Sequence, residues 1–328
     1  MEADIDPVLV AARDRVIAKY MGKPGVNGVG IGAKTVAGRR SGVTSIRVYV
    51  TRKRPSQYLP AGTELPRSIR VKGRTVAVDV VQAGPFFPLH LLSRADETRS
   101  LAGAATEDAY PHRYRPVPFG VSIAHQDVTA GTVGCLVTDN TDGSTVVLSN
   151  NHVLANSNLA EIGDPIVQPG PADQGIVGPD TVAHLKRYVE IKIGTINYAD
   201  AAIATPVGVG TFVNESPEGV INPISSQHQP VGLLFAGDCS GMILACSASR
   251  IASLLDVSFP NGFVVPSAYM LVEKVGRTTG WTVSSISDIG LEMKVAFPGG
   301  VAIFGDLFMM DRFGHAGDSG SIIVQAEA

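Results

Sequence analysis

Short apolar runs, each bounded by glycine, proline or asparagine, recur along most of this sequence. Examples are TSIRVYVTRK, GTVGCLVTD, STVVLSN and, near the end of the chain, GSIIVQ. These runs are short for helices, and their content of valine, isoleucine and threonine favours strands. The 36 glycines and 21 prolines supply the turns between them. The sequence therefore predicts a mostly-β chain arranged as a barrel or a sandwich.

Charge and cysteine content restrict the partners and the compartment. The chain carries 27 Lys and Arg against 30 Asp and Glu, so no basic excess indicates nucleic acid as a partner. The N-terminus lacks the apolar stretch of a signal peptide, and no apolar run of about 18 residues predicts a membrane span. Three cysteines are too few for a disulfide framework and fit a reducing compartment. We therefore expect a cytoplasmic protein without a membrane partner.

The three cysteines are expected to be reduced thiols. Cys135 lies in an apolar strand pattern and is interpreted as a small core residue. Cys239 and Cys246 flank the hairpin pattern FAGDCSGMILACS, and a disulfide between them is the alternative.

Residues 1–84 form a first unit with both helix and strand patterns. Asp6 is placed to cap a helix that runs to about Met21. The following stretch, GVNGVGIGAK, has the glycine spacing of a dinucleotide-binding turn or of a strand with small residues on one face. We favour the strand, because a helix precedes this stretch and a turn-like segment follows it. With the strand TSIRVYVTRK and the hairpin RVKGRTVAVDVV, this unit is a small α+β domain.

Residues 85–118 have a different composition. Proline and polar side chains dominate in PFFPLH and in SRADETRSLAGAATEDAYPHRYRPVP. We expect a linker or a surface wrap between the first unit and the strand-rich remainder of the chain.

Three segments hold the residue types of a nucleophilic hydrolase. Ser319 lies in the tight turn GDSGS, and a serine attacks only when a base takes its proton and a third group orients that base. His152 follows the apolar strand pattern in VVLSNNHV. Asp200 precedes the apolar run of DAAIA, which would bury one face of its carboxylate. The order His152, Asp200, Ser319 is the chymotrypsin order and differs from the orders in subtilisin and in α/β-hydrolases.

These segments resemble the catalytic motifs of trypsin-like serine proteases with the two-barrel chymotrypsin fold. SNNHV stands at the histidine motif, DAAIA at the aspartate motif and GDSGS at the nucleophile motif. Through NGVGIGAK, QPGPADQG and VEKVGRTTGWT, the chain also resembles intracellular bacterial trypsin-like peptidases related to the plant narrow-leaf protein. The resemblance implies a chymotrypsin-like double β-barrel over residues 119–328, with the first barrel at about 119–207 and the second at about 208–328.

The same resemblance assigns roles around the nucleophile. The amides of Gly317 and Ser319 would form an oxyanion hole, and Asp318 would turn inward to hold the loop. In secreted relatives of the fold a freed N-terminus pairs with that aspartate. This chain has no clear activation site, so we expect its loop to be held internally or opened by a partner protein. No metal or organic cofactor is implied, because no His/Cys cluster has ligand spacing.

The resemblance also places the substrate groove. Phe235, Ala236 and Gly237 would form the wall of the primary specificity pocket and hydrogen-bond an extended peptide. Phe313, six residues before the nucleophile, would lie at the pocket base. Because that position is not acidic, selection of Arg or Lys by a buried carboxylate is not supported. We expect a small or apolar residue before the cut.

The short tail after the nucleophile departs from the family pattern. Only 328 − 319 = 9 residues follow Ser319, whereas the family has three strands and a helix there. Residues 230–257, PVGLLFAGDCSGMILACSASRIASLLDV, resemble that missing ending but come earlier. We therefore expect a circularly permuted second barrel in which residues 231–236 pair antiparallel with residues 321–324. A truncated chain, or a strand supplied by another protomer, is the alternative.

These observations predict a bacterial, cytoplasmic serine endopeptidase that acts on proteins or peptides. The rival interpretation is a latent or inactive protease-like module that binds a regulatory partner protein. The sequence retains every triad residue, which favours the enzyme. A lipase or esterase with an α/β-hydrolase fold is excluded by the triad order and by the lack of Gly-x-Ser-x-Gly before a helix.

Overall fold

The computed structural model describes residues 5–59, 62–91, 110–219, 221 and 228–326. Its helices are α1 Pro7–Tyr20, α2 Asn151–Leu154 and α3 Ala248–Leu255. The strands up to residue 150 are β1 Val26–Val36, β2 Arg39–Val50, β3 Ser68–Val71, β4 Arg74–Gln82, β5 Phe87–Pro88, β6 Ser122–His125, β7 Gly131–Thr132, β8 Cys135–Asp139 and β9 Thr145–Ser149. The later strands are β10 Pro165–Val167, β11 Thr181–Tyr188, β12 Ile196–Asn197, β13 Ala202–Pro206, β14 Pro230–Gly237, β15 Met242–Ser247, β16 Val257–Ser258, β17 Leu271–Gly276, β18 Gly280–Phe297, β19 Gly300–Asp311 and β20 Ile322–Gln325.

The first barrel is a curled sheet of eight strands in the order β16-β8-β9-β13-β11-β10-β6-β7. Its strands are short and their inward side chains are almost all apolar, as the runs of valine, isoleucine and leucine predict. β9 and β13 are antiparallel neighbours, with Ser149 opposite Ala202. This register brings the chain after β9 and the chain before β13 to the same edge of the sheet.

The second barrel belongs to a sheet of twelve strands, within which six strands close a ring. The ring runs β17-β18-β19-β15-β14-β20 and returns from β20 to β17. Ring closure leaves none of these strands as a free edge, which a β structure otherwise has to protect. With two curled sheets, the chain has the mostly-β, chymotrypsin-like double-barrel fold that the sequence predicts.

The strand after the nucleophile loop lies beside a strand that comes much earlier in the chain. β20 pairs antiparallel with β14 through Gly232↔Ile323 and Leu233↔Ile322. The expected antiparallel pairing with residues 321–324 is therefore confirmed for β14 up to Leu234, whereas Ala236 pairs with β5. The ring closes within one chain.

The first 82 residues contain the expected helix and glycine-rich strand. The Asp6 carboxylate accepts a hydrogen bond from the Val8 amide at 2.8 Å, which caps α1. Ala12, Val16 and Tyr20 recur every fourth residue and are the buried face of α1. β1 runs into the hairpin strand β2, so the glycine-rich stretch is a strand and not a turn that opens a helix.

The glycines of β1 lie where β18 approaches most closely. A Cβ atom at Gly28 would be 2.0 Å from Met293 Sδ and 2.8 Å from the Glu292 carbonyl oxygen. A Cβ atom at Gly30 would be 2.6 Å from Leu291 Cγ. β1 can therefore pair with β18 only because these positions carry no side chain.

A buried ion pair also joins β2 to β18. Arg47 Nη1 lies 2.6 Å from Asp288 Oδ2, and Asp288 is 0% exposed. Burial raises the pKa of Asp288, although the Arg47 guanidinium opposes that shift. Together with the β1–β18 pairing, this contact makes the N-terminal strands continuous with the sheet of the second barrel.

The two described ends of the 85–118 stretch are built into the fold. Phe86 and Leu89 are 0% exposed, and β5 pairs with β14. At the other end Val117 is 0% exposed, and its amide donates to the Thr211 carbonyl at 2.8 Å. Residues 92–109 lie outside the described residues. These ends differ from the linker or surface wrap that the proline content indicated, because their apolar side chains bury area between the barrels.

None of the three cysteines, all of which lie in the described part of the chain, forms a disulfide, as expected. Cys135 is buried in the core of the first barrel, and burial raises its pKa. Cys246 is buried and Cys239 exposed, so the alternative of a disulfide between them is wrong. Among the described helices, none is long and apolar enough to cross a membrane.

We expect Gly28→Ala to lower the free energy of unfolding by about 1–3 kcal/mol, because the added methyl overlaps a side chain and a carbonyl of β18. Gly42→Ala in β2 is the matched control, since nothing lies within 4 Å of the added carbon. Urea denaturation measures both variants. Equal stability of the two variants would contradict the close approach of β1 to β18.

Candidate active site

Two neighbouring strands of the first barrel present His152 and Asp200. β9 ends at Ser149, and α2 then places His152 on the first turn after the strand. β13 begins at Ala202, which lies opposite Ser149. Asp200, two residues before β13, is thereby brought beside His152. The β9–β13 register is what joins these two side chains, which are 48 residues apart in sequence.

The two side chains form a direct hydrogen bond in the protein interior. His152 Nδ1 lies 2.6 Å from Asp200 Oδ2, and the His152 amide donates to Asp200 Oδ1 at 3.2 Å. Both residues are 0% exposed. An ionised carboxylate accepts from Nδ1–H, which leaves the basic lone pair of the imidazole on Nε2. The arrangement can therefore orient a general base.

Asn150 and Cys246 hold the main chain of Asp200, and the sequence analysis did not find them. Asn150 Nδ2 donates to the Asp200 carbonyl at 2.7 Å, and the Asp200 amide donates to Cys246 Sγ at 3.4 Å. Asn150 stands within the SNNHV motif, which is the signal that could have found it. Cys246 comes from the second barrel, and no local pattern indicates this contact. Among the described residues, no group of three or more His, Cys, Asp or Glu is placed to hold a metal ion.

The loop that carries Ser319 requires glycine on both sides. Gly317 and Gly320 have φ angles of +94° and +91°, a region that favours glycine. A Cβ atom at Gly320 would also lie 2.1 Å from Ser149 Oγ. Thr132 fixes this loop to the first barrel: its amide donates to the Ser319 carbonyl at 2.7 Å and its hydroxyl to the Gly317 carbonyl at 2.8 Å.

Ser319 faces the β14 strand and two amides of its own loop. Its Oγ lies 3.5 Å from the Phe235 carbonyl oxygen, and the residue is 0% exposed. Within the described part of the chain, neither the Gly317 nor the Ser319 amide donates to a protein acceptor. Both donors are therefore available to stabilise negative charge that develops beside Ser319.

The carboxylate of Asp318 is held inside the protein, as expected for the loop, and its partners come from the β17–β18 hairpin. It accepts hydrogen bonds from the Thr278 amide at 2.8 Å, the Thr279 hydroxyl at 2.7 Å and the His315 amide at 2.9 Å. Lys274 Nζ lies 3.5 Å from Asp318 Oδ2, and both side chains are 0% exposed. An internal lysine thus supplies the cation that faces Asp318.

The buried pair shifts the pKa of both groups. Burial alone would raise the pKa of Asp318, but the Lys274 ammonium and the three hydrogen bonds outweigh it and hold that pKa below its usual value. Burial lowers the pKa of Lys274, and Asp318 offsets part of that shift. Lys274 also donates to the Thr279 hydroxyl at 2.5 Å and the Gly280 carbonyl at 3.3 Å. The ion pair is therefore well satisfied despite its depth.

Lys274 lies within the VEKVGRTTGWT segment, but the sequence analysis assigned it no role. The available signal is its position in β17, where Val272, Lys274 and Gly276 share one face and both faces of the strand are buried after Leu271. A lysine on the buried face of a strand requires an anionic partner, and Asp318 in the nucleophile loop is that partner.

The four expected substrate-binding residues lie on β14 and just after β19. Residues 235–237 are on β14, and the Phe235 ring packs against Phe304 with 4.9 Å between centroids. Phe313 is 0% exposed, and Lys274 Nζ lies 5.7 Å from its ring centroid. The structure thus places an aromatic ring, and no carboxylate, at the expected pocket base.

No family model and no curated protein matches the chain. Solved structures of bacterial serine proteases align with it in part. Chymotrypsin of Cellulomonas bogoriensis is 12% identical and aligns over 65% of this chain and 79% of its own, with a TM-score of 0.35. Nocardiopsis protease is 14% identical over 64% and 92%, with a TM-score of 0.31. Thermobifida fusca protease A is 10% identical over 64% and 91%, with a TM-score of 0.30. The fold assignment rests on the strand order of the two barrels.

We expect Lys274→Met to lower the free energy of unfolding by about 3–5 kcal/mol at neutral pH, because it leaves a buried carboxylate without its cation. In the wild type, Asp318 has a lower pKa in the folded state than in the unfolded state, which stabilises the fold at pH values above the unfolded-state pKa. That stabilisation is lost as the pH falls through the lower, folded-state pKa. In Lys274→Met the pKa of Asp318 is raised, so the loss in free energy of unfolding relative to the wild type should become smaller towards about pH 4. Urea denaturation across pH measures this.

The control is Lys192→Met, which removes an exposed pair with Glu190 and should cost about 0–1 kcal/mol. Lys274→Met/Asp318→Asn removes both buried charges and should recover part of the lost stability. A deficit in Lys274→Met that does not vary with pH would contradict the assignment of Lys274 as the counter-ion of Asp318.

Proposed function

We propose that this chain is a serine endopeptidase with the triad His152, Asp200 and Ser319. The observation that carries the proposal is the 2.6 Å hydrogen bond between His152 Nδ1 and a fully buried Asp200 carboxylate, on a barrel to which the Ser319 loop is tied. A structural histidine needs neither this orientation nor a nearby glycine-bounded serine. The residue order along the chain supports the same reaction class.

In the proposed reaction, Ser319 Oγ attacks the scissile carbonyl while His152 Nε2 takes its proton. The oxyanion accepts hydrogen bonds from the Gly317 and Ser319 amides. His152 then gives the proton to the leaving amine, and the acyl-enzyme forms. Water deacylates it by the same route in reverse. Asp200 stays ionised throughout, holds the imidazole tautomer and stabilises the imidazolium.

We further propose that substrates bind as an extended strand along Phe235, Ala236 and Gly237. The position of these residues, next to Ser319 Oγ on β14, supports this. Phe313 at the pocket base supports an apolar residue before the cut and gives no support for Arg or Lys. The trypsin-like character and the kinship with intracellular bacterial peptidases remain proposals that rest on the sequence motifs.

A circular permutation of the second barrel is part of the same proposal. The ring order supports it: β14, β15 and α3 fill the slot after the nucleophile strand, although they precede β17 in the chain. Cytoplasmic location, and a partner protein that activates the enzyme, are proposals drawn from the sequence alone.

The second candidate, a latent protease-like module, is favoured by one observation. Ser319, His152 and Asp200 are each 0% exposed, so a peptide does not reach the nucleophile in this conformation. A covered Ser319 together with an oriented His152–Asp200 pair supports a latent enzyme over an inactive one.

Fluorophosphonate labelling tests the nucleophile. We expect the chain to be labelled once the segment described in the next subsection is released, and the same chain with Ser319→Ala or His152→Ala to lose the label, because the serine reacts only when His152 takes its proton. Ser321→Ala is the matched control, since this buried serine lies two residues away and its hydroxyl donates to the Asp318 carbonyl at 2.7 Å. Label that persists in Ser319→Ala would overturn the proposal, as would no labelling even after release of the segment described in the next subsection.

Asp200→Asn tests the orienting carboxylate. We expect a loss of about 10⁴-fold in kcat for a peptide substrate, because the amide stabilises the wrong imidazole tautomer. Asp164→Asn is the control: it contacts His125, a second buried histidine of the same barrel, at 3.0 Å. A loss of similar size in the two variants would mean that Asp200 acts only on stability.

A further inference from the structure

The substrate-binding edge of β14 already carries a strand of this chain. β5 pairs antiparallel with it, with Pro88 opposite Ala236 and Phe87 opposite Gly237. The other edge of β14 is taken by β15 at the same residues. β5 therefore lies on the edge that β20 uses further along, and this is the edge that faces the nucleophile loop.

The register directs this segment towards Ser319. The pairing is antiparallel, with Phe87 opposite Gly237 and Pro88 opposite Ala236, so the chain advances along β14 in the direction of Phe235 as it reaches Leu89. Ser319 Oγ lies 3.5 Å from the carbonyl of that same Phe235. Phe87, Pro88 and Leu89 thus run along β14 in the direction of an extended substrate, and Leu89 is at the position before the cut.

The Leu89 side chain fills an apolar space beside β14. A Cβ atom at Gly237 would lie 2.9 Å from Leu89 Cδ2 and 2.8 Å from Ile243 Cδ1, so the missing side chain of that glycine makes the room. Leu89 is 0% exposed and belongs to the same apolar cluster as Leu234 and Phe313. This is the cluster that contains the expected pocket base.

The residues before β5 are tied to neighbouring strands. The Phe86 carbonyl accepts from the Ala296 amide of β18 at 2.8 Å, and Phe86 is 0% exposed. The Gly84 amide donates to Asp238 Oδ2 at 3.0 Å, and its carbonyl accepts from Asn27 Nδ2 of β1 at 3.0 Å. The segment is therefore held in register from the N-terminal side.

At Leu89 the backbone leaves the extended conformation that a bound substrate would have. A 3₁₀ turn spans Leu89–Leu91, so the chain curls where a substrate would stay extended to present its scissile bond. Pro88, directly before this turn, has no amide to donate to β14. A segment that binds like a substrate but bends at the cut is retained instead of being cleaved.

We propose that residues 85–91 are a built-in, substrate-like strand that occupies the substrate groove and keeps the enzyme latent. This inference rests on the proposed function, because it takes β14 as the substrate-binding strand. It defines the substrate class as extended peptides with a leucine-sized apolar residue before the cut. Access requires that this strand, hereafter the groove segment, leave β14.

Binding of a synthetic peptide tests the groove without requiring catalysis. The probe is a fluorescent peptide with the sequence GPFFPL, which copies residues 84–89, and the readout is anisotropy. The protein is the full chain with Ser319→Ala, with or without Leu89→Asp. We expect Leu89→Asp to tighten peptide binding at least about tenfold, because loss of a buried leucine anchor weakens the closed state by more than that factor.

Leu91→Asp in the same background is the matched control, since Leu91 is 42% exposed and lies two residues further along the same segment. It should bind the peptide as weakly as Ser319→Ala alone. Leu89→Ala is a milder second variant that should give an intermediate gain if the aspartate prevents folding. Equal peptide affinity in the folded Leu89 variants and the control would overturn the proposal. So would equal binding of a peptide that ends in lysine.

Turnover separates this inference from the proposed function. With Ser319 intact, Leu89→Asp should hydrolyse a fluorogenic peptide ending in Pro-Leu at least about tenfold faster than the wild type and Leu91→Asp. If the peptide binds Leu89→Asp but no variant hydrolyses it or takes up the fluorophosphonate, the proposed function is wrong and the groove segment stands. If the wild type is as active as Leu89→Asp, the groove segment is wrong and the protease stands.

Discussion

A lysine ammonium and an aspartate carboxylate, both withdrawn from water, lie beneath the nucleophile loop. Each charge would be costly alone at that depth, and their mutual attraction and shared hydrogen bonds with Thr279 offset the cost. Because Asp318 is adjacent to Ser319, its inward position also fixes the direction of the neighbouring peptide groups. The conformation of the loop around Ser319 therefore depends on a cation supplied by β17.

A second constraint is the contact between the barrels. His152 and Asp200 belong to the first barrel and Ser319 to the second, so the position of Ser319 relative to the His152–Asp200 pair depends on the interface and not on either barrel alone. Thr132 links the two through hydrogen bonds to the Ser319 and Gly317 carbonyls. Cys246 adds a second link between the barrels, since the Asp200 amide of the first barrel donates a hydrogen bond to the Cys246 thiol of the second. Threonine and cysteine are small enough to act at such a close approach.

Local pattern was sufficient for much of the fold and for the side chains of the candidate site. The capped helix, the glycine-rich strand and the alternation of the later strands reflect forces within a few residues of sequence. His152, Asp200 and Ser319 were predicted because each lies in a distinctive local context and their order is informative, and the structure brings His152 and Asp200 into hydrogen-bond contact. The pairing of β14 with β20 was predicted because the nine residues after Ser319 are too few for the three strands and the helix of the family pattern.

Contacts between distant segments could not be predicted in this way. Lys274 and Asp318 are 44 residues apart, and no sequence pattern near either residue predicts that they form an ion pair. The groove segment was interpreted as part of a linker because its prolines are typical of one, and only the register with β14 reveals its place. Proline and phenylalanine in a short stretch are compatible with a surface turn and with a buried edge strand.

The strand order of the second barrel has a consequence for the order of synthesis. A chain is made from its N-terminus and its domains fold in that sequence. β5, β14 and β15 all precede Ser319, so the groove edge and the strand that covers it both leave the ribosome before the nucleophile does. The last piece to join the ring is β20, and its insertion between β14 and β17 completes the nucleophile loop. In a chain under synthesis, residues 85–91 and β14 are therefore both made before Ser319.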